Sequence, residues 1–354
     1  MVERRQQIMA TGMSVHVAVP PEDEQRAASA IADCLAWLEE IGRCLTRFDP
    51  ASALSQLNQA AGSWHAVSDT LYTVVEQSVA AAEATNGLFH PATLPALEAA
   101  GYDRDYDQIA RREIGIRVVP PPPLVDWREI ALDPVRRRIR LPMGAKLDLG
   151  GIVKGWAADV ALERFFADFE NVLINTSGDM RARGGAQPGE LWALGIEDPH
   201  VRPDTEDGEP RNVAVVTLGQ GGTATSGATE RWWYAGGVAQ HHVIDPRTGA
   251  PAHIWLNTGE SLPDGKDLIA TATAFAPTAA HAEVAAKIAL LRSYPEAMEC
   301  VERGWKSDRR RPRPRYGDVD VALLLVMGSG AVHVSAHLEA WLDRYGGGGR
   351  LWLS

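Results

Sequence analysis

Residues 280–291 read AHAEVAAKIALL, and no other stretch restricts the fold as tightly. A helix over these residues is apolar almost all round, yet it carries Glu283 and Lys287. Four positions apart, the two side chains share one helix face. On a solvated face they form an ordinary surface ion pair of little consequence. On a buried face two charges are expensive and need a specific reason to be there.

The 354 residues suffice for one large domain or two ordinary ones, and a core of useful size is available at this length. A net charge of −11 argues against general nucleic-acid binding, which needs a basic surface. It suits a protein that handles small molecules. Arg4 and Arg5 are not followed by an apolar stretch of signal-peptide length, and the first cysteine, Cys34, is too late for a lipobox. No run reaches the length of a membrane span. These features lead us to expect a cytoplasmic protein. Cys34, Cys44 and Cys300 show no metal-ligand spacing and are odd in number, so buried thiols are expected.

Strands and helices alternate irregularly. MSVHVAVP (13–20) is expected to be a strand. The next segment has Ala28, Ile31, Leu35, Leu38, Ile41 and Leu45 at helical spacing behind an acidic first turn. Residues 68–87 form a helix with a Ser start and a Gly stop. EIAL and RIRLP are two strands around a DPVRR turn. KLDLGGIVKGWAADVALERFFADF is strand, Gly-Gly turn and amphipathic helix. Further strands fall in NVLINTSGDMRARGG, LWALGIEDP, VAVVTLG and HHVID, a helix covers 279–292, and the end of the chain gives two strands and a helix. Strands and helices are mixed throughout, without the strict alternation of a dinucleotide-binding βαβ fold. The Arg-Pro loop at 308–316 reads as a solvated excursion.

Three segments carry chemistry. In LDLGGIVKG, Asp148 precedes a Gly150-Gly151 turn, and Lys154 lies in the first turn of a helix whose free N–H groups suit an anion. The alternative is a tight turn with a structural ion pair. In TATSGATERWW, Thr223, Thr225, Ser226 and Thr229 cluster around Gly227, as a phosphate-binding turn or as a turn that caps its own backbone. In HHVIDPRTG, His242, Asp245 and Arg247 suit acid–base or phosphate chemistry, but DPRTG is also a good turn sequence.

Taken in order, LDLGGIVKGWAAD, VLINTSGDMRARG, LWALGIEDP, TATSGATER, HHVIDPRTGAP and HVSAHLEAWL resemble the ApbE family of FAD:protein FMN transferases. RFDPASALSQLN and TNGLFHPATLPALEAAGYD are similar to its early motifs, and the likeness runs from about Thr11 to the end. It implies a single α+β unit over 1–354 with two lobes, mixed sheets and helices, and FAD between the lobes. The reaction it implies splits the pyrophosphate of FAD and transfers FMN to a threonine of an acceptor protein bearing a Ser/Asp-Gly-x-Thr-like motif, leaving AMP. Asp148 and Lys154 then contact FAD, and the Gly151 carbonyl faces a magnesium site. Thr225, Ser226 and Gly227 lie near the flavin nucleotide, and His242 and Val243 pack on it. Phe48 and Phe89 supply nearby aromatic rings. His242 is the candidate base for the acceptor threonine. The SGAT at 226–229 looks like an acceptor motif but is read as part of the donor site.

The same resemblance exposes departures. Where the family has an Asp and, four residues on, a Thr that hold magnesium, this chain has Glu283 and Lys287. Lysine has no acceptor for a metal. Lys287 is therefore expected to take the ion's place against the pyrophosphate, held by Glu283, with recruitment of a metal by Glu283 from another angle as the alternative. Phe89-His90-Pro91-Ala92 lacks the family's acid and hydroxyl, and Thr11-Gly12-Met13 only partly matches its first motif. FMN transfer leads the readings. The alternatives are a non-catalytic FAD-binding paralogue and a pyrophosphatase that gives FMN and AMP.

Overall fold

The computed structural model describes residues 1–110, 119–201, 211–229, 231–258, 267–302 and 319–354. Its centre is an eight-stranded sheet: β1 Val2–Ile8, β2 Thr11–Val17, β3 Val172–Thr176, β4 Met180–Arg183, β5 Gln220–Gly227, β6 Ile269–Ala276, β7 Ala322–Met327 and β8 Val332–Val334. Neighbours in the sheet are neighbours in this list, and every pairing is antiparallel. Apart from the helix Leu338–Arg344 and the strand Leu351–Leu353, which follow the last strand, the helices and smaller sheets are insertions between consecutive strands, which explains the irregular alternation in the sequence. The Arg-Pro loop at 308–316 lies outside the described residues.

Four longer helices matter for the site: α1 Glu24–Leu45, α2 Asp69–Ala84, α3 Val153–Phe165 and α4 Ala279–Leu290. The apolar stripe of α1 is Ala27, Ile31, Cys34, Leu35, Leu38, Ile41 and Leu45. Ala27 takes the place expected for Ala28, and Cys34 is a buried thiol as expected, whereas Cys44 and Cys300 are only half-buried. Ser68 caps α2 by accepting from the Leu71 N–H at 3.3 Å. The helix stops before Asn86 and Gly87, both at positive φ.

The sheet is covered on both faces, and period-2 alternation sorts its side chains. Val172 and Ile174 of β3 join α1, α2 and α3 in one apolar cluster. Ala272, Ala274 and Ala276 of β6 and Leu323 and Leu325 of β7 pack with α4 in a second. The intervening Phe275, Ala322, Leu324 and Val326 face a third, built with a small sheet and Trp341. No helix among the described residues is long and apolar enough to cross a membrane.

Two expectations are corrected. Asp148 does not close a strand: residues 145–149 form no strand or helix and are held where Leu147 N–H donates to Asn58 Oδ1 (2.7 Å) and Asp148 N–H to the Pro91 carbonyl (2.9 Å). The Thr-Ser-Gly segment is not a turn. It is the end of β5, with Thr225, Ser226 and Gly227 paired to Thr273, Ala272 and Thr271.

Helices α3 and α4 cross at a backbone contact. A methyl group on Gly155 would lie 2.5 Å from the Ala279 carbonyl oxygen, so only glycine permits this approach. Asp159 of α3 then accepts the Ala279 and Ala280 N–H groups at 2.9 Å each, which satisfies free donors at the start of α4. Arg181 pairs with Asp159 at 3.1 Å. Gly155→Ala is expected to lower stability by about 1–3 kcal/mol through overpacking, read as a lower midpoint of urea denaturation.

Candidate functional site

The α3–α4 crossing forms the floor of a cavity of about 1440 Å³. Its walls come from the loop after α1, the residue 88–106 region, the Gly-Gly turn before α3, the end of β5 and the segment at 242–244. All twelve site residues expected from the sequence line it: Phe48, Phe89, Asp148, Gly151, Lys154, Thr225, Ser226, Gly227, His242, Val243, Glu283 and Lys287. Thr229 also lines it, whereas Asp245 and Arg247 do not. Those two pair with each other at 2.7 Å and Arg247 donates to the Leu291 carbonyl, so the expected His-Asp-Arg group is divided.

Four charges meet at the floor. Lys154, on the first turn of α3, pairs closely with Asp179 and lies 3.6 Å from Glu283 Oε1. Asp179 and Glu283 are 1% and 2% exposed. Glu283 Oε2 accepts the Gly155 N–H at 2.8 Å, while Oε1 is buried with no hydrogen-bond partner. Burial first, and the neighbouring Asp179 second, raise the Glu283 carboxyl to about 7. Burial also raises Asp179, against the pull of Lys154. Burial alone would lower Lys154, but the Asp179 and Glu283 carboxylates push it above the ordinary lysine range, so Lys154 is cationic.

Lys287 differs from the expectation. Glu283 does not hold it: among the described residues no acceptor lies within hydrogen-bonding or ion-pairing distance of its ammonium. The carboxylate one turn earlier is engaged by Lys154 and Gly155 instead. Lys287 reaches across to Gly151, where a side chain would overlap its Nζ. Desolvation lowers its pKa, and Glu283 and Asp148 oppose that at longer range.

His242 is neutral. Burial, then the Lys287 charge, push its imidazole down to about 3, against a backbone hydrogen bond to Arg231, and Nδ1 is buried without a partner. Above the floor, the Arg47 guanidinium lies 4.3 Å and 4.4 Å from the Phe48 and Tyr102 ring centroids, pairs with Asp148 at 2.8 Å and donates to the Tyr102 carbonyl at 2.8 Å. Phe48 is 41% exposed at the mouth, while Phe89 is buried. In the FHPA segment, His90 contacts the Val125 carbonyl and the Ala92 N–H, so its ring serves the loop backbone.

Sequence reasoning missed Arg47, Tyr102, Asp179 and Arg231. Asp179 has a detectable signal, an acid straight after a glycine turn that ends a buried strand. Arg47, Tyr102 and Arg231 also lie inside the motif segments quoted above, but only the fold brings them to one cavity.

This arrangement defines an α+β protein with a large cleft that holds unpaired cationic and neutral imidazole groups, suited to an extended anionic ligand with aromatic rings. The ApbE family model matches residues 9–308, and the chain belongs to that family. It is 31% identical over 245 residues to an FAD:protein FMN transferase of Treponema pallidum, covering 64% of each chain. It is 28% identical over 227 residues to one from Vibrio cholerae, covering 60% of this chain and 62% of the relative. The alignments thus span just under two thirds of these relatives. Among solved structures, the ApbE protein of Thermotoga maritima matches with a TM-score of 0.74 at 22% identity, over 96% of this chain and 98% of that one. The flavin transferase ApbE of Vibrio cholerae matches with a TM-score of 0.70 at 19% identity, over 96% and 98%. The shared fold is that of this family.

The Glu283 carboxyl sets a pH dependence. Its folded value of about 7 lies above the ordinary 4.5, so the folded state holds a proton that the unfolded chain releases. The stability this contributes is present below about pH 4.5 and is lost as pH rises through about 7, by at most about 3 kcal/mol. Glu283→Gln cannot ionise. Across that window, melting temperatures of wild type should fall relative to this variant.

Proposed function

We propose that this protein is an FAD:protein FMN transferase, which moves FMN from FAD to a threonine hydroxyl of an acceptor protein and releases AMP. The observation that carries the reading is the convergence of all twelve motif residues, from segments up to about 240 positions apart, on one cavity. Its volume exceeds the roughly 300–1,000 Å³ of pockets for drug-sized ligands, which suits an extended dinucleotide. The family membership and the names of the Treponema and Vibrio relatives support the same reaction.

In this proposal Lys154 and Lys287 face the pyrophosphate. Thr225, Ser226 and Gly227 offer hydroxyls and backbone along β5, and Asp148 and Val243 contact the nucleotide. Phe48 and Phe89 supply apolar and stacking surface. The acceptor threonine Oγ attacks the phosphorus of the FMN half. A new O–P bond forms, the pyrophosphate P–O bond breaks, and AMP leaves with the bonding electron pair. His242 takes the hydroxyl proton. Burial and then the Lys287 charge depress the imidazole; a bound pyrophosphate opposes the second of these and so raises the basicity of His242. The acceptor carries a Ser/Asp-Gly-x-Thr-like motif in this reading. A cytoplasmic setting belongs to the same proposal, supported by three free cysteines.

Magnesium, which the family resemblance implies, does not suit these residues. Among the described residues no three His, Cys, Asp or Glu side chains converge as a metal site. Both Glu283 oxygens point at the Gly155–Lys154 side, and an ammonium lies against Gly151. No step is therefore routed through a metal.

With FAD and a synthetic peptide containing Ser-Gly-Ala-Thr, the purified protein should attach FMN covalently to the peptide and release AMP in equal amount, seen by mass spectrometry and nucleotide chromatography. AMP without labelled peptide would indicate the pyrophosphatase. Tight FAD binding without AMP would indicate a binding protein. His242→Asn is expected to slow transfer by about 10²–10⁴-fold while FAD affinity, followed by flavin fluorescence, changes little.

A further inference from the structure

We infer that Lys287 is a fixed cation supplied by the protein for the pyrophosphate of its ligand, and that this chain needs no divalent ion. The inference rests on the transferase reading for the identity of that ligand, and on the geometry of the cavity floor for the rest.

Three observations carry it. First, Lys287 is in the cavity wall and its ammonium has no hydrogen-bond or ion-pair partner among the described residues. A half-buried cation that no side chain among the described residues neutralises attracts an anion more strongly than it would in open water. An anion entering the cavity would neutralise it, because the carboxylates around it make their close contacts elsewhere. Asp179 is held by Lys154, Asp148 by Arg47 and the Gly150 N–H, and Glu283 by Gly155 and Lys154.

Second, the ammonium is placed by rigid elements. Its helix is packed on β5 and β6 and capped by Thr278, which accepts from the His281 N–H, and by Asp159. Gly151 has no side chain, and the space where one would stand is filled by the Lys287 ammonium and the end of its alkyl chain. Little reorganisation is then needed when an anion binds, which favours a preorganised electrostatic role.

Third, the position is closed to a metal. A cation already stands at Gly151, and the Glu283 carboxylate makes its close contacts with Gly155 and Lys154. The structure departs here from the magnesium chemistry that the family resemblance implies. One ammonium gives a point charge with three donors in place of a divalent Lewis acid. It neutralises a pyrophosphate oxygen without taking it into a coordination shell.

The test uses FAD binding and transfer side by side, in EDTA and in excess magnesium. Wild type is expected to bind FAD with the same Kd, and to transfer FMN to the peptide at the same rate, in both. Lys287→Met should weaken FAD binding by about tenfold or more, with no rescue by magnesium, whereas Lys287→Arg should keep most of the affinity. Thermal melting confirms that each variant is folded. Electron paramagnetic resonance with Mn²⁺ should show no bound ion in wild type with FAD, and a bound ion in the Glu283→Asp, Lys287→Thr double variant. Loss of wild-type transfer in EDTA with recovery in magnesium would overturn the inference and leave the transferase reading standing. So would Mn²⁺ bound to wild type, or Lys287→Met binding FAD as tightly as wild type. A folded double variant that gained neither Mn²⁺ binding nor magnesium dependence would also count against it. Absence of transfer under every condition, with Lys287→Met still weakened in FAD binding, would overturn the transferase reading and support the built-in cation.

Discussion

The close crossing of α3 and α4 at Gly155 sets the position of everything at the cavity floor. The absence of a side chain there brings the Ala279 carbonyl into direct contact with α3. At that separation the Gly155 N–H reaches Glu283, one turn along α4, and Asp159 reaches the first N–H groups of the same helix. Lys154 and Lys287 are thereby presented to one cavity from two different helices. Packed helices do not slide continuously, because interiors are as dense as molecular crystals. The points from which the two lysines enter the cavity are accordingly set by the crossing.

Two half-buried lysines set beside two buried acids are an unpromising way to stabilise a protein. Desolvation of each ion is expensive, and apolar residues of the same volume often do better. The asymmetry of the group explains its retention. Asp179 and Glu283 both attend to Lys154, which leaves Lys287 uncommitted. One lysine is an internal structural ion, and the other is a receptor for charge that arrives from outside. The puzzle of Glu283 and Lys287 on one apolar helix is thus resolved by a third residue, on a different helix, that no reading of the α4 segment alone could supply.

What was legible in the sequence followed short-range physics. The stripe of α1, the Ser68 cap and the glycine stop of α2 are local signals, and each has its counterpart in the structure. The motif residues converge because a resemblance along the chain carries three-dimensional information that periodicity does not. The failures are equally physical. The edge strand β1 exposes most of VERRQQI, and its hairpin turns through Met9 and Ala10 at positive φ without the glycine or asparagine that usually marks such a turn. Thr-Ser-Gly has turn-like composition, but cross-strand pairing with β6 overrides it. Asp245 and Arg247 satisfy each other two residues apart, so local pairing removes them from a site that their chemistry suited. Arg47 meets Asp148 and Tyr102 only through tertiary structure.

The cavity lining begins at Gln7 and continues to Leu291. Its parts hang from strands that lie side by side in chain order, separated by long insertions. No contiguous fragment of the chain contains the binding surface, so a ribosome must deliver most of the polypeptide before any ligand has a place to bind. Affinity for the ligand is for the same reason coupled to the folding of the whole sheet. Occupancy stabilises the native state by an amount that grows with the logarithm of ligand concentration, and protection from proteolysis would then report how much of that ligand surrounds the protein.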